Sequence, residues 1–175
     1  MKATKLNVRL YGDTCLRKKS TLVKEVGIVE RFLIQAMLNT MHAYKGIGLA
    51  APQVGVNQQI LVADIGNGPI VVINPQIVKK VGTAVMEEGC LSLPGINVQV
   101  KRAKNITVRY LDEHNRSHEK SFEDLLARVI QHETDHLNGK LIIDYANLAE
   151  KRKLIREYKN FLEKKESLPE NATDH

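Results

Sequence analysis

Tryptophan is absent from the sequence, and aromatic residues make up only 5% of its 175 positions. A chain so poor in flat side chains is a weak candidate for gripping single-stranded nucleic acid by base stacking. Long apolar runs are also missing: no stretch approaches the roughly 20 residues that span a bilayer. The first residues, Met1-Lys2-Ala3-Thr4-Lys5-Leu6-Asn7, lack the apolar segment and cleavage site of a secretory signal. The expected setting is therefore the cytoplasm of a bacterium, with an organellar location left open. Cysteine is scarce, with only Cys15 and Cys90. A disulfide is not expected under these conditions, and one of the two is better read as a thiolate with a chemical task.

The rest of the composition is ordinary for a soluble globular protein, with 43% hydrophobic and 26% charged residues. The length suits one domain with a real core, expected over residues 1–166. The polar tail 167–175, which carries Pro169, is expected to be disordered. The net charge of +6 is unevenly placed. Lys151, Arg152, Lys153, Arg156, Lys159, Lys164 and Lys165 are opposed in that segment only by Glu157 and Glu163. Such a stretch is either a solvated helix face or an electrostatic foot for an RNA-rich partner.

Hydrophobic periodicity outlines the fold. Val26, Val29, Leu33, Ala36, Met37, Thr40 and Met41 follow a helical spacing, with Gly46 as terminator. Residues 46–56 read as a Gly- and Ala-rich loop. Strands are expected at Ile60–Ile65 and Ile70–Asn74, with Gly66-Asn67-Gly68-Pro69 turning between them. Pro75 is expected to begin a separate extended piece. A loop should carry Cys90, with Pro94-Gly95 as a turn, followed by strands at Val98–Arg102, Ile106–Tyr110 and about Ser117–Ser121. Ser121 and Asp124 look like a capping pair that opens a helix ending at Asn138-Gly139. A last amphipathic helix is expected from Leu148 to Lys165, with Leu148, Leu154, Ile155, Tyr158, Phe161 and Leu162 on its apolar side. The fold class is α+β, with mixed but mostly antiparallel sheets packed around a central helix and one helix near each end.

The central helix carries the chemistry. In His132-Glu133-Thr134-Asp135-His136 the two histidines are four apart, on one helix face, and can reach a single ion. Glu133 lies about 100° round the helix, where a general base can face an open metal position without being a ligand. Cys90, in Glu88-Gly89-Cys90-Leu91-Ser92, is the better third ligand; Asp144 is the alternative, and Cys15 is the only spare soft donor. By itself a lone cysteine is more often a small buried hydrophobe. Three protein ligands leave a place for water, whose pKa a bound divalent ion lowers toward about 7. One sulfur with two imidazoles suits zinc, ferrous iron, cobalt or nickel. Gln53, in Gly46-Ile47-Gly48-Leu49-Ala50-Ala51-Pro52-Gln53, and the Leu91 N–H are candidate oxyanion donors. The same glycine-rich segment is equally a structural turn of small residues.

Those three segments, in that order, resemble the three signature motifs of the peptide deformylases, and the resemblance runs from about Val8 to Tyr145. It implies hydrolysis of the formyl group from the N-terminal formylmethionine of new peptides, with release of formate. Cys90, His132 and His136 are implied as ligands of a ferrous ion that zinc, nickel or cobalt can replace. Glu133 is implied as the acid/base, with Gln53 and Leu91 as oxyanion donors. Gly48 would pair with the substrate backbone, and Ile47, Leu125, Val129 and His132 would line the methionine pocket. The basic last helix is similar to the bacterial form that contacts the ribosome. A braced pair between Arg102 and Asp135 behind the metal helix is also expected. Three positions depart from the family pattern: Gly12 where Pro is common, Asp124 where Gly is usual, and Asn97 in place of a basic residue. The alternatives are a zinc endopeptidase using Asp144, or a ribosome-binding module with a structural metal.

Overall fold

The computed structural model describes residues 4–166. In chain order it contains α1 (Ile28–Ala43), β1 (Gly48–Ala50), β2 (Ile60–Ala63), β3 (Ile70–Val81), β4 (Ala84–Cys90), β5 (Leu93–Arg102), β6 (Asn105–Leu111), β7 (Ser117–Glu123), α2 (Asp124–Leu137) and α3 (Leu148–Glu166). Five strands form a sheet in the order β1-β2-β3-β6-β7, and β4 with β5 forms a second, two-stranded sheet. Every strand pair is antiparallel. This is the expected α+β class, with α2 at its centre. Among the described residues no helix is long and apolar enough to cross a membrane. The tail expected to be disordered, 167–175, lies outside the described residues.

The central strands explain why their sequences are apolar throughout. On β2 and β3, Ile60, Val62, Val71 and Ile73 pack with Met37 and Met41 of α1. Leu61 and Val72, on the other face, pack with Ala127, Ile130 and Leu137 of α2. Side chains alternate along a strand, so burial on both faces removes the polar half of the pattern. A third cluster joins Ile96, Val98 and Val100 of β5 to Leu154 and Tyr158 of α3. Each such buried aliphatic contributes about 1.5–3 kcal/mol. In α1, Gly46 N donates to Met41 O, which closes the helix end as the sequence suggested. Val29 of α1 and Leu148 of α3, however, are exposed rather than on the buried sides.

Several local expectations are corrected. Residues 46–56 are not simply a loop, since they include β1 and a 3-10 turn, Ala51–Val54. Pro75 does not start a new piece. It lies inside β3, at a register shift between Ile73 and Gln76 and next to Asn74 at φ 53°. A residue left out of the ladder at a bulge loses nothing by lacking an N–H. Cys90 ends a strand, and Pro94-Gly95 lies within β5. Ser121 caps nothing; its Oγ meets Thr107 Oγ1 across the sheet at 3.0 Å. Glu123 is the N-cap of α2, and Asp124 opens the helix at φ 47°. That left-handed conformation is the physical reason a glycine suits position 124. Gly12, at φ 108°, holds a conformation closed to proline.

Candidate metal centre

Two layers meet at the centre of the molecule. On α2 the four-residue spacing brings His132 Nε2 and His136 Nε2 to 3.3 Å. Cys90 Sγ, at the end of β4, lies 3.3 Å from His136 Nε2. A register shift between Glu88 and Cys90 re-aims the strand end toward the helix. The three donor atoms lie within 4.8 Å of one another, and no other such group of His, Cys, Asp and Glu is found among the described residues.

The surroundings prepare these donors for a cation. His132 Nδ1 is 2.9 Å from Glu88 Oε2. With the proton on that nitrogen, the Nε2 lone pair faces the other two donors. Glu88 also receives Arg102 Nε at 2.7 Å and Nη2 at 2.9 Å, and Arg128 Nη1 at 2.6 Å. Burial works to raise the Glu88 carboxyl, but the bonds from His132 and Arg102 prevail and hold it at about 2. Arg102 Nη1 reaches Asp135 Oδ2 at 2.8 Å, so the expected pair is present. Tyr145 completes it, donating its hydroxyl to the same Asp135 oxygen at 2.7 Å. A thiol and two imidazoles turned to one point, with one tautomer fixed from behind, fit a borderline divalent ion.

Glu133 is buried, and its Oε2 has no hydrogen-bond partner among the described residues. Burial raises its carboxyl to about 7. Gly48 of β1 packs directly on this side chain. A Cβ at position 48 would overlap Glu133 Oε1 and come within 2.7 Å of Val129 Cγ1. Gln53 is locked by its Oε1, which accepts from Ala50 N at 2.8 Å. Its Nε2 points to Cys90 Sγ at 3.6 Å and Ser92 Oγ at 3.3 Å. A cleft of about 460 Å³ opens onto the group and is lined by Ile47, Gly48, Gln53, Cys90, Leu91, Leu125, Val129, His132 and Glu133. The structure thus gathers the sequence-identified residues in one place, with His136 just behind the cleft wall.

The competing donors are elsewhere. Asp144 accepts from Arg17, from Lys151 Nζ at 2.7 Å and from Leu141 N at 2.9 Å, outside the donor group. Cys15 donates to Pro52 O at 3.4 Å, and burial together with the Asp13 bond pushes its thiol up to about 11. Sequence reasoning missed the roles of Glu88, Arg128, Tyr145 and Ser92. A signal for Glu88 existed. Reading 84–90 as a strand places Glu88 and Cys90 two apart, on one face.

Comparison with known proteins identifies relatives over most of the chain. Residues 5–152 match the family model described as polypeptide deformylase. A peptide deformylase of Thermotoga neapolitana is 47% identical over 145 residues, covering 82% of this chain and 88% of that protein. The crystal structure of a peptide deformylase from Legionella pneumophila superposes with a TM-score of 0.91 at 37% identity, over 95% of this chain and 100% of that one. One from Synechococcus elongatus, in complex with actinonin, gives a TM-score of 0.84 at 40% identity, over 88% and 86% of the two chains.

Proposed function

This chain belongs to the polypeptide deformylase family, and from that premise we propose how its residues carry the reaction. The activity is removal of the formyl group from nascent peptides by a metal-dependent amide hydrolase. Cys90, His132 and His136 would hold one divalent ion, ferrous iron in the cell, with zinc, nickel or cobalt as substitutes. When bound, the ion supplies Lewis acidity and an activated water. Glu133, buried in the cleft wall with no hydrogen-bond partner on Oε2 among the described residues, would take a proton from the attacking water as its oxygen bonds to the formyl carbon, and return it to the nitrogen as the C–N bond breaks. The Gln53 side-chain amide and the Leu91 N–H donate to the oxyanion that develops on the formyl oxygen. The products are formate and a free N-terminal amine.

Substrate placement follows from the cleft walls. The backbone of Gly48 pairs with an extended peptide, since β1 is an edge strand of the five-stranded sheet. Ile47, Leu125, Val129 and the His132 ring surround the methionine side chain at the first position. Residues 1–166 act as a single catalytic domain. On α3, Arg152, Lys153, Arg156 and Lys159 are exposed and offer the ribosome a basic face. Since formylated peptides arise at ribosomes, the reaction belongs in the bacterial cytoplasm.

The observation that carries this reading is the convergence of Cys90, His132 and His136 beside a cleft lined by Cys90, His132, Glu133 and Gln53. The test is formate release from an N-formyl-Met dipeptide by protein prepared anaerobically with ferrous iron, beside Glu133→Ala. Release should fall by at least about a hundredfold in the variant, the usual weight of a positioned acid/base. Cleavage of internal bonds in an acetyl-blocked peptide without formate release would instead favour an endopeptidase.

A further inference from the structure

The proposed ligands come from two separate layers, and something must hold the layers in register. Cys90 ends β4 in the two-stranded sheet, whereas His132 and His136 belong to α2. Arg102 links them only through side chains. It sits on β5, so its bonds to Glu88 stay within the hairpin, and one contact crosses to Asp135 on α2. Gln131 grips the backbone of Ala103 with a pair of bonds at 3.1 and 2.9 Å, just past the end of β5. The hairpin proper is gripped from α2 by His132, through the Glu88 side chain alone, and by Arg128.

Arg128 lies one turn before His132 on the same helix and is buried. Its Nη1 donates to Glu88 Oε1 at 2.6 Å and to Val100 O at 3.0 Å, and its Nη2 donates to Ala84 O at 2.7 Å. Ala84 opens β4, and Val100 on β5 pairs with Met86 of β4. One planar guanidinium therefore reaches both strands, and two of its three acceptors are backbone carbonyls. Such bonds fix the path of the strands as well as one carboxylate, and the rigid fork of an arginine fixes distance in a way a lysine cannot. Arg128 also lines the cleft, between Leu125 and Val129 on the helix wall and Met86 on the hairpin wall.

We propose that Arg128 is a positioning residue that sets the distance between the β4–β5 hairpin and α2. It thereby sets both the closure of Cys90 onto the two histidines and the width of the cleft at the first substrate side chain. The inference rests on the ligand assignment above, so its test separates the two. The Co²⁺-loaded protein is mixed with excess chelator, and loss of the thiolate–cobalt absorption band is followed in wild type, Arg128→Met, Arg128→Lys and Arg116→Met. Methionine keeps most of the stem and removes the fork. Arg116, an exposed partner of Asp112 in the β6–β7 turn, serves as the control for loss of a cation.

Arg128→Met should release Co²⁺ about tenfold faster than wild type, in the range seen when outer partners of metal ligands are removed. Arg128→Lys, able to meet Glu88 but not all three acceptors, should fall between them, and Arg116→Met should match wild type. The ratio of KM for N-formyl-Phe to N-formyl-Met peptides should fall at least threefold in Arg128→Met as the cleft loosens, while kcat on the metal-saturated protein moves less. Wild-type Co²⁺ release together with an unchanged KM ratio in Arg128→Met would overturn the role. If that variant does not fold, the same two readings on Arg128→Lys decide it. A wild type that binds no Co²⁺ overturns the ligand assignment and the strut with it.

Discussion

Glu88 and Asp144 are each gripped by two cationic side chains, yet one is sealed inside the molecule and the other faces water. The Glu88 side chain is 6% exposed, and its partners Arg102 and Arg128 are 3% and 7% exposed. Asp144 is 19% exposed, with Arg17 at 41% and Lys151 at 32%. In both carboxyls burial opposes ionisation and hydrogen bonds overcome it, so both lie below the usual carboxylate range. The depth of that depression does not say what the interaction is worth. Around Asp144 water can replace a lost partner, whereas around Glu88 a lost partner leaves a bare charge in the interior. The first cluster orients the His132 ring, and the second ties the start of α3 to an N-terminal turn.

The sharpest way to break this comparison is Glu88→Gln in metal-free protein. Removing one partner of a buried ion cluster costs about 3–5 kcal/mol, here by leaving Arg128 without a counter-charge. Urea unfolding should show that loss, and the variant should also retain Co²⁺ poorly because the anchor of His132 is cut from a carboxylate to a single amide oxygen that Arg102 and Arg128 compete for. An equal loss in Asp144→Asn would erase the distinction between the two clusters. Tyr145→Phe supplies the intermediate case. The Tyr145 hydroxyl donates to Asp135 and accepts from Arg102 Nη1 at 3.2 Å, at the half-exposed margin of the buried cluster. Its loss should cost about 0.5–1.5 kcal/mol, read as a small shift of the urea midpoint at constant slope.

These clusters also mark how far the sequence could be read. The helical half of the site was legible because helical spacing is local: His132, Glu133 and His136 are fixed relative to one another by α2 alone. The apolar segments of β2 and β3 announced themselves for a similar reason, since both of their faces are buried. Strand β4 did not. Val85 and Met86 are exposed and Glu88 points inward, the reverse of an ordinary half-buried strand. Its pattern makes sense only with Arg102, Arg128 and His132 already in place from elsewhere in the chain. Pro94-Gly95 has the composition of a turn, but Phe161 of α3 covers it. A Cβ on Gly95 would lie 2.9 Å from the Phe161 ring, and Gly95 keeps φ at 77° inside β5. What was illegible is what long-range packing decides.

Asp144→Asn should have the smallest effect, and its pH dependence sharpens the contrast. Because the folded protein holds this carboxyl below its ordinary value near 4, the ion pairs contribute fully above about pH 4 and fade as pH falls through the depressed value. At neutral pH the variant should lose no more than about 1 kcal/mol, given the exposure of Arg17 and Lys151. Asparagine keeps an oxygen for Leu141 N, so the 3-10 turn Ile142–Tyr145 should survive. The gap between wild type and variant should narrow from pH 7 to pH 3, and also in 1 M salt, where exposed ion pairs are screened. A gap that persists at both extremes would mean that Asp144 acts through buried hydrogen bonds rather than charge, and the exposed cluster would then obey the same physics as the sealed one.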